Sequence, residues 1–303
     1  DSYPGRLISY KQNDGYPALI DKGAWARTDF KYKPDLVSNV SKPGFTKQIA
    51  EGLYVNDVYN DTIVNMIANS KLRAKKNYLY SCLNFMLLKE AIEDVAGSDM
   101  NIYLQKNFYE RLGASTTTYN PREKFEKDII APTERDDFLR KQLLQGYVHD
   151  EGAAFLGGIS GNAGLFSNAN DLAKLYQMWL NGGTYGGEEY LSQSTVNLVT
   201  KTKSPNSRRG LGFDKPDPLN SRKSPTSPQT PPSVFGHTGF TGTAFWVDPD
   251  NNLIYIFLSN RVNESRTQKG LMTLNIRPRI QSVIYNALKK DTIPSSFPTV
   301  DGE

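Results

Sequence analysis

Two short stretches carry residues whose types and spacing allow chemistry. The first is Tyr80-Ser81-Cys82-Leu83-Asn84-Phe85, which holds the chain's one cysteine. A tyrosine beside cationic groups acts as a general base when its pKa is lowered; the alternative is a packed aromatic. Cys82 is a nucleophile, a piece of core, or a stand-in at a substrate-binding position. A nucleophilic thiolate requires an electropositive neighbour, and His237 is the candidate. The second stretch is Phe235-Gly236-His237-Thr238-Gly239-Phe240-Thr241-Gly242-Thr243. Glycine on a strand lets a ligand or another backbone approach closely. His237, Thr238, Gly239 and Phe240 on an edge strand offer an imidazole, a hydroxyl and backbone N–H groups. Those parts hold a carboxylate and a developing oxyanion. The alternative is a tight bulge before a hairpin.

Other signatures are absent or weak. There is no P-loop and no His-Glu-x-x-His. Gly158-Ile159-Ser160-Gly161-Asn162 resembles a nucleophile elbow but lacks its last glycine, which favours a glycine-rich turn. His149 is a single metal ligand at best, and a structural, hydrogen-bonded role is favoured. One cysteine rules out an internal disulfide and a multi-cysteine zinc site. No metal and no cofactor is expected.

The elements that must position these residues follow from periodicity. Helices are predicted over about 61–70, from Leu83 to a cap at Gly97, from about Ser98 to before Gly113, from Asn168 or Asn170 to Leu180, and over 193–201. The second of these keeps Leu83, Met86, Leu87, Ala91 and Val95 on one apolar face. The first 45 residues read as loop with short extended pieces, and 204–233 as a long loop. Strands over 241–247 and 253–258 read as an antiparallel hairpin. A last helix covers about 271–288, with a kink or late start at Pro278.

The 303 residues suffice for one large domain or two ordinary ones. A net charge of +4, from 36 basic and 32 acidic residues, gives no case for nucleic-acid binding. The basic run at 71–76 reads as solvated surface. No apolar run is long enough for a transmembrane helix. The chain begins at Asp1 without methionine, so it is expected to be processed, trimmed or cut from something longer.

Together these pieces resemble the serine hydrolase family of penicillin-binding DD-peptidases, class C β-lactamases and related esterases. Tyr80-Ser81-Cys82 resembles the family's Tyr-x-Asn element at the head of a helix, and Ile92–Gly97 the helix after it. Tyr109-Glu110-Arg111-Leu112-Gly113 is similar to a following signature. Gly161-Asn162-Ala163-Gly164-Leu165-Phe166-Ser167 with Asn170-Asp171-Leu172-Ala173 resembles a further one. His237-Thr238-Gly239 matches the Lys/His-Thr/Ser-Gly strand, and Asp248-Pro249 and Ser259-Asn260-Arg261 also fit. The resemblance runs from about residue 45 to 290. Gln145–Glu151 and the 236–243 strand resemble a subgroup in which this module follows a family 3 glycoside hydrolase domain.

The resemblance implies an α/β (α+β) fold, with an antiparallel sheet flanked by helices and a mostly helical subdomain. One domain covers 1–303, the helical part at about 45–200 and the α/β part at about 205–290. It implies acyl transfer from an amide or ester, with a cell-wall peptide or an acylated sugar as the expected substrate, through a covalent acyl-enzyme. Tyr80 and His237 are then catalytic; Cys82, Thr238, Gly239 and Phe240 contact substrate. The resemblance further implies a periplasmic or secreted/cell-envelope location, a small-molecule or peptide substrate as partner, and an adjacent glycoside hydrolase domain as a candidate second one.

Two departures qualify this. No serine in the chain has lysine three places on, so the family's Ser-x-x-Lys nucleophile motif is missing. The expected domain is therefore incomplete at its N-terminus and the chain alone inactive. Cys82 also occupies the asparagine slot, where a thiol poorly replaces an amide that donates and accepts. The alternatives are an inactive module binding peptidoglycan or glycan or packing on a partner, and a purely structural module with an unpaired sheet edge.

Overall fold

A computed structural model describes residues 8–9, 15–21, 24–72, 74, 78–217 and 224–290. The N-terminal stretch, the basic run at 71–76 and the 204–233 loop lie partly outside the described residues. Short strands β1 (Ile8–Ser9), β2 (Ala18–Asp21) and β3 (Ala24–Ala26) form one antiparallel sheet, ordered β1-β3-β2. β4 (Val37–Ser38), β5 (Lys47–Ala50) and β6 (Leu53–Val55) form a second, ordered β4-β6-β5. Helices α1 (Tyr59–Ala68), α2 (Leu83–Ala96) and α3 (Met100–Leu104) follow, the last running into a π-helical turn over Gln105–Tyr109. A hairpin of β7 (Pro132–Asp136) and β8 (Gln142–Gln145) leads to the short α4 (Glu151–Phe155). Then come α5 (Ala169–Leu180), the small pair β9 (Thr184–Tyr185) and β10 (Glu188–Glu189), and α6 (Gln193–Lys201). The final sheet is β11 (Phe235–Thr238), β12 (Ala244–Asp248) and β13 (Leu253–Phe257), followed by α7 (Gly270–Thr273) and α8 (Ile276–Lys290). The architecture is thus mixed α/β, with small antiparallel sheets among helices.

Caps explain where the helices begin and end. The Asn168 side chain accepts the Asp171 N–H at 2.9 Å, which sets the start of α5. Ser192 does the same for Thr195 at the head of α6. Gly97 ends α2 in the left-handed region, φ +62°, where a side chain would be strained. The last helix is in two pieces rather than one. Asn275, at φ +50°, separates them, and Pro278 falls in the first turn of α8, where its missing N–H costs little.

The β11–β13 sheet is packed on both faces. Along β12 neighbouring side chains alternate: the Phe245 ring stacks on Tyr176 of α5 at 3.8 Å, while Trp246 is buried with Val234, Tyr255 and Ile284 of α8. Asp248 closes the β12–β13 turn by accepting the Asp250 and Asn251 N–H groups, and the Tyr285 hydroxyl of α8 donates to it. Gly236 is required on β11, because a Cβ there would run into the Phe245 carbonyl oxygen. β12 begins at Ala244, so residues 239–243 form a turn rather than the expected start of a strand.

Two surfaces differ from what periodicity implies. Of the five apolar α2 positions, only Met86 is fully buried; Leu83, Leu87 and Val95 are exposed, and no described element covers them. Among the described residues β13 pairs with β12 alone, leaving its other edge open.

Candidate functional site

The outer edge of β11 is the centre of the site. Asp214 exchanges two backbone bonds with Gly236, at 2.7 and 3.1 Å, so the preceding loop caps that end of the edge. Thr238, two residues on, turns its backbone groups the same way. The Gly239 N–H is committed to the Thr243 carbonyl at 2.8 Å, closing the turn. It is not a free donor, contrary to the expectation of exposed N–H groups along the whole stretch. The Phe240 N–H takes no part in the turn's hydrogen bonds.

Tyr80 and His237 come together as the sequence suggests. Their rings stack with centroids 6.3 Å apart. The cation required beside Tyr80 is Arg209, whose guanidinium lies 4.5 Å from the phenol ring. Arg209 also reaches His237 Nε2 at 2.7 Å and Asp214 at 3.3 Å. Arg208 holds the same buried Asp214 through two bonds of 2.7 and 2.9 Å. Burial pushes the Tyr80 phenol above its ordinary value, outweighing Arg209. Burial, then Arg209 and Arg208, push His237 below its ordinary value against the opposing pull of the Thr238 carbonyl and Asp214.

Cys82 sits at the head of α2, half-buried. Burial and then the Asp150 carboxylate push its thiol up, against a weaker bond from Asn162. A nucleophilic thiolate needs the opposite environment, and His237 is already engaged by Arg209 and the Thr238 carbonyl. The Asn162 amide is itself held by the buried Ser160 hydroxyl at 2.7 Å, so the elbow-like stretch is a hydrogen-bonded turn.

Phe240 points into a neighbouring cluster. Its ring lies 5.1 Å from that of His149, and the Arg261 guanidinium covers it at 4.9 Å while donating to its carbonyl. His149 abuts the buried Glu134. Arg266 grips Glu134 through bonds of 2.6 and 2.8 Å and reaches Glu151 at 2.7 Å. Burial alone would raise Glu134, but His149 and Arg266 outweigh it and hold the carboxyl at about 2. Among the described residues no three His, Cys, Asp or Glu side chains gather as a metal would need. No described helix is long and apolar enough to cross a membrane.

Arg208, Arg209 and Asp214 were not legible as site residues. They lie in Ser207-Arg208-Arg209-Gly210-Leu211-Gly212-Phe213-Asp214, inside a stretch whose composition says only loop. The available signal was an arginine pair followed by an acid in a segment that leads back to the His-Thr-Gly strand.

Residues 24–274 match the protein family described as Beta-lactamase. A protein of Escherichia coli (strain K12) named "Putative D-alanyl-D-alanine carboxypeptidase" is 34% identical over 272 residues, covering 80% of this chain and 61% of that protein. A Salmonella gallinarum protein of the same name is 34% identical over 256 residues, covering 75% of this chain and 58% of that one. The chain therefore spans about three fifths of the length of these curated relatives. Among solved structures, a beta-lactamase from Mycobacterium bovis aligns with a TM-score of 0.48 at 20% identity, covering 71% of this chain and 66% of that one.

Proposed function

This chain belongs to the Beta-lactamase family, and from that premise we propose that it forms one wall of a DD-carboxypeptidase site in a serine hydrolase acting on cell-wall peptides. The observation that carries this reading is the meeting of Tyr80 with His237 on the outer edge of β11, across Arg209. A substrate peptide lies along that edge, with Thr238 and Phe240 on one side and, on the other, Cys82 at the head of α2 and Asn162 of the turn after α4. A serine oxygen attacks the carbonyl of the penultimate residue. The Phe240 N–H stabilises the oxyanion, and the terminal amine leaves with a proton delivered through Tyr80. Water then cleaves the acyl-enzyme.

The serine and lysine of that mechanism are the part these 303 residues do not supply in Ser-x-x-Lys spacing. The exposed apolar face of α2 and the open edge of β13 support the reading that the rest of the whole protein packs there. On this reading the whole protein works in the periplasm or cell envelope, and a glycoside hydrolase domain is a candidate neighbour. The test is D-alanine release from an acyl-D-Ala-D-Ala peptide by the whole protein and its Tyr80→Phe variant. Turnover that falls by about 10² or more supports the assignment; no release, or an unchanged rate in the variant, overturns it. A second reading, an inactive module that binds cell-wall peptide, is favoured by a cysteine at position 82, in the slot where the family has asparagine, and by the absence of Ser-x-x-Lys spacing in these 303 residues. Calorimetry of this chain with a muropeptide tests it, and absence of heat removes it.

A further inference from the structure

Arg209 touches three things at once, and their chemistry fixes the state of His237. A guanidinium has donors and no acceptor. His237 Nε2, 2.7 Å from Arg209, therefore accepts. The Thr238 carbonyl oxygen, 2.9 Å from Nδ1, only accepts, so Nδ1 carries the proton. One neutral tautomer satisfies both bonds. The imidazolium would keep the Thr238 bond but set an N–H against the N–H of Arg209. Arg209 cannot easily withdraw, since buried Asp214 holds it and is itself pinned by Arg208.

We propose that Arg209 is a positioning residue that holds His237 as a neutral imidazole, with its proton on Nδ1 and its Nε2 lone pair occupied, so that His237 shapes the site and transfers no proton. The inference deepens the reading above and rests on it for placing substrate beside Tyr80 and His237. The groups facing the imidazole are Arg209 and Arg208 from the loop, Asp214 from the bridging residue and Tyr80 from the turn before α2. Two guanidiniums and burial favour the neutral ring, and Asp214 opposes them. Proton transfer in the pair is left to Tyr80.

The test is imidazole nitrogen–proton correlation spectroscopy on the 15N-labelled 303-residue chain. It has two histidines, so His149→Gln assigns the signals. The expected wild-type spectrum shows His237 protonated on Nδ1 alone at neutral pH, with a midpoint below the ordinary ~6.5. Arg209→Met should free Nε2 to take a second proton and raise the midpoint by about one pH unit or more, while the Thr238 carbonyl keeps the first proton on Nδ1. Arg209→Lys, which keeps a charge and a donor, should restore the wild-type pattern. Arg208→Met, which removes the smaller of the two guanidinium effects, should leave the tautomer unchanged and raise the midpoint by less than Arg209→Met does. A wild-type ring protonated on Nε2 overturns the proposal with no variant needed. So does an Arg209→Met spectrum like wild type, or an Arg208→Met effect equal to that of Arg209→Met. The spectrum is indifferent to turnover, so an inactive whole protein with this tautomer would sink the functional reading and leave Arg209's role standing.

Discussion

Glu134 is the residue whose removal tests the physics of the site's surroundings most directly. Its carboxylate is buried on β7, bonded twice by Arg266 and abutted by His149, whose ring in turn lies against Phe240. The carboxyl falls from its ordinary 4.5 to about 2, which corresponds to ~3 kcal/mol at 1.36 kcal/mol per pH unit. Solvent reaches part of this network through Glu151, which is 29% exposed, and that screening reduces the figure to ~2 kcal/mol. Because the folded-state value is depressed, this stability is present above the ordinary value and is lost as pH falls from 4.5 through about 2. Glu134→Gln keeps the shape but places an amide donor toward Arg266. It should lower stability by ~2 kcal/mol at pH 7 in urea unfolding. The gap between variant and wild type should then narrow steadily below pH 4.5. Curves are compared down to the lowest pH at which both proteins stay folded, since the difference cancels carboxylates common to both. A gap of constant size from pH 7 to pH 3 would refute the reasoning, because it would mean that Glu134 acts through its shape rather than its charge.

Two further outcomes follow from the same geometry. Cys82 should alkylate slowly at pH 7.5, with a rate that climbs to a midpoint above the ordinary 9.0, because burial and Asp150 disfavour the thiolate; a midpoint near 7 would restore it as a nucleophile candidate. Gly236→Ala should cost ~1–3 kcal/mol in thermal or urea unfolding, since its Cβ would meet backbone rather than a flexible side chain; a neutral effect would show that β11 and β12 are less closely apposed than described.

The elements around the site were legible wherever a local signal sufficed. Asn168 heads α5 and Gly97 stops α2, each through chemistry confined to one turn. The hairpin of β12 and β13 followed from two β-rich runs, 241–247 and 253–258, close together in the chain. Signals failed where tertiary context decided. Residues 241–243 have strand-like neighbours, yet Gly239 and Gly242 bend them into a turn. Periodicity marked an apolar face on α2, but only a partner can bury such a face, and nothing among the described residues covers Leu83, Leu87 and Val95.

The site itself divides along the same line. Tyr80, His237 and Thr238 could be named because each lies in a short motif whose residue types suit the chemistry. What state they are in could not be read, because it is set by residues far away in the chain. A cation beside Tyr80 was a condition of its acting as a base; the structure supplies that cation from position 209, yet burial still raises the phenol. The same guanidinium occupies His237 Nε2, so one side chain both stands beside Tyr80 and removes the lone pair His237 would need as a base. Residue type proposes a role, and the hydrogen-bond partner decides whether the role is open. At this site Arg209, which no motif marks, occupies His237 Nε2, while burial sets the Tyr80 phenol against it.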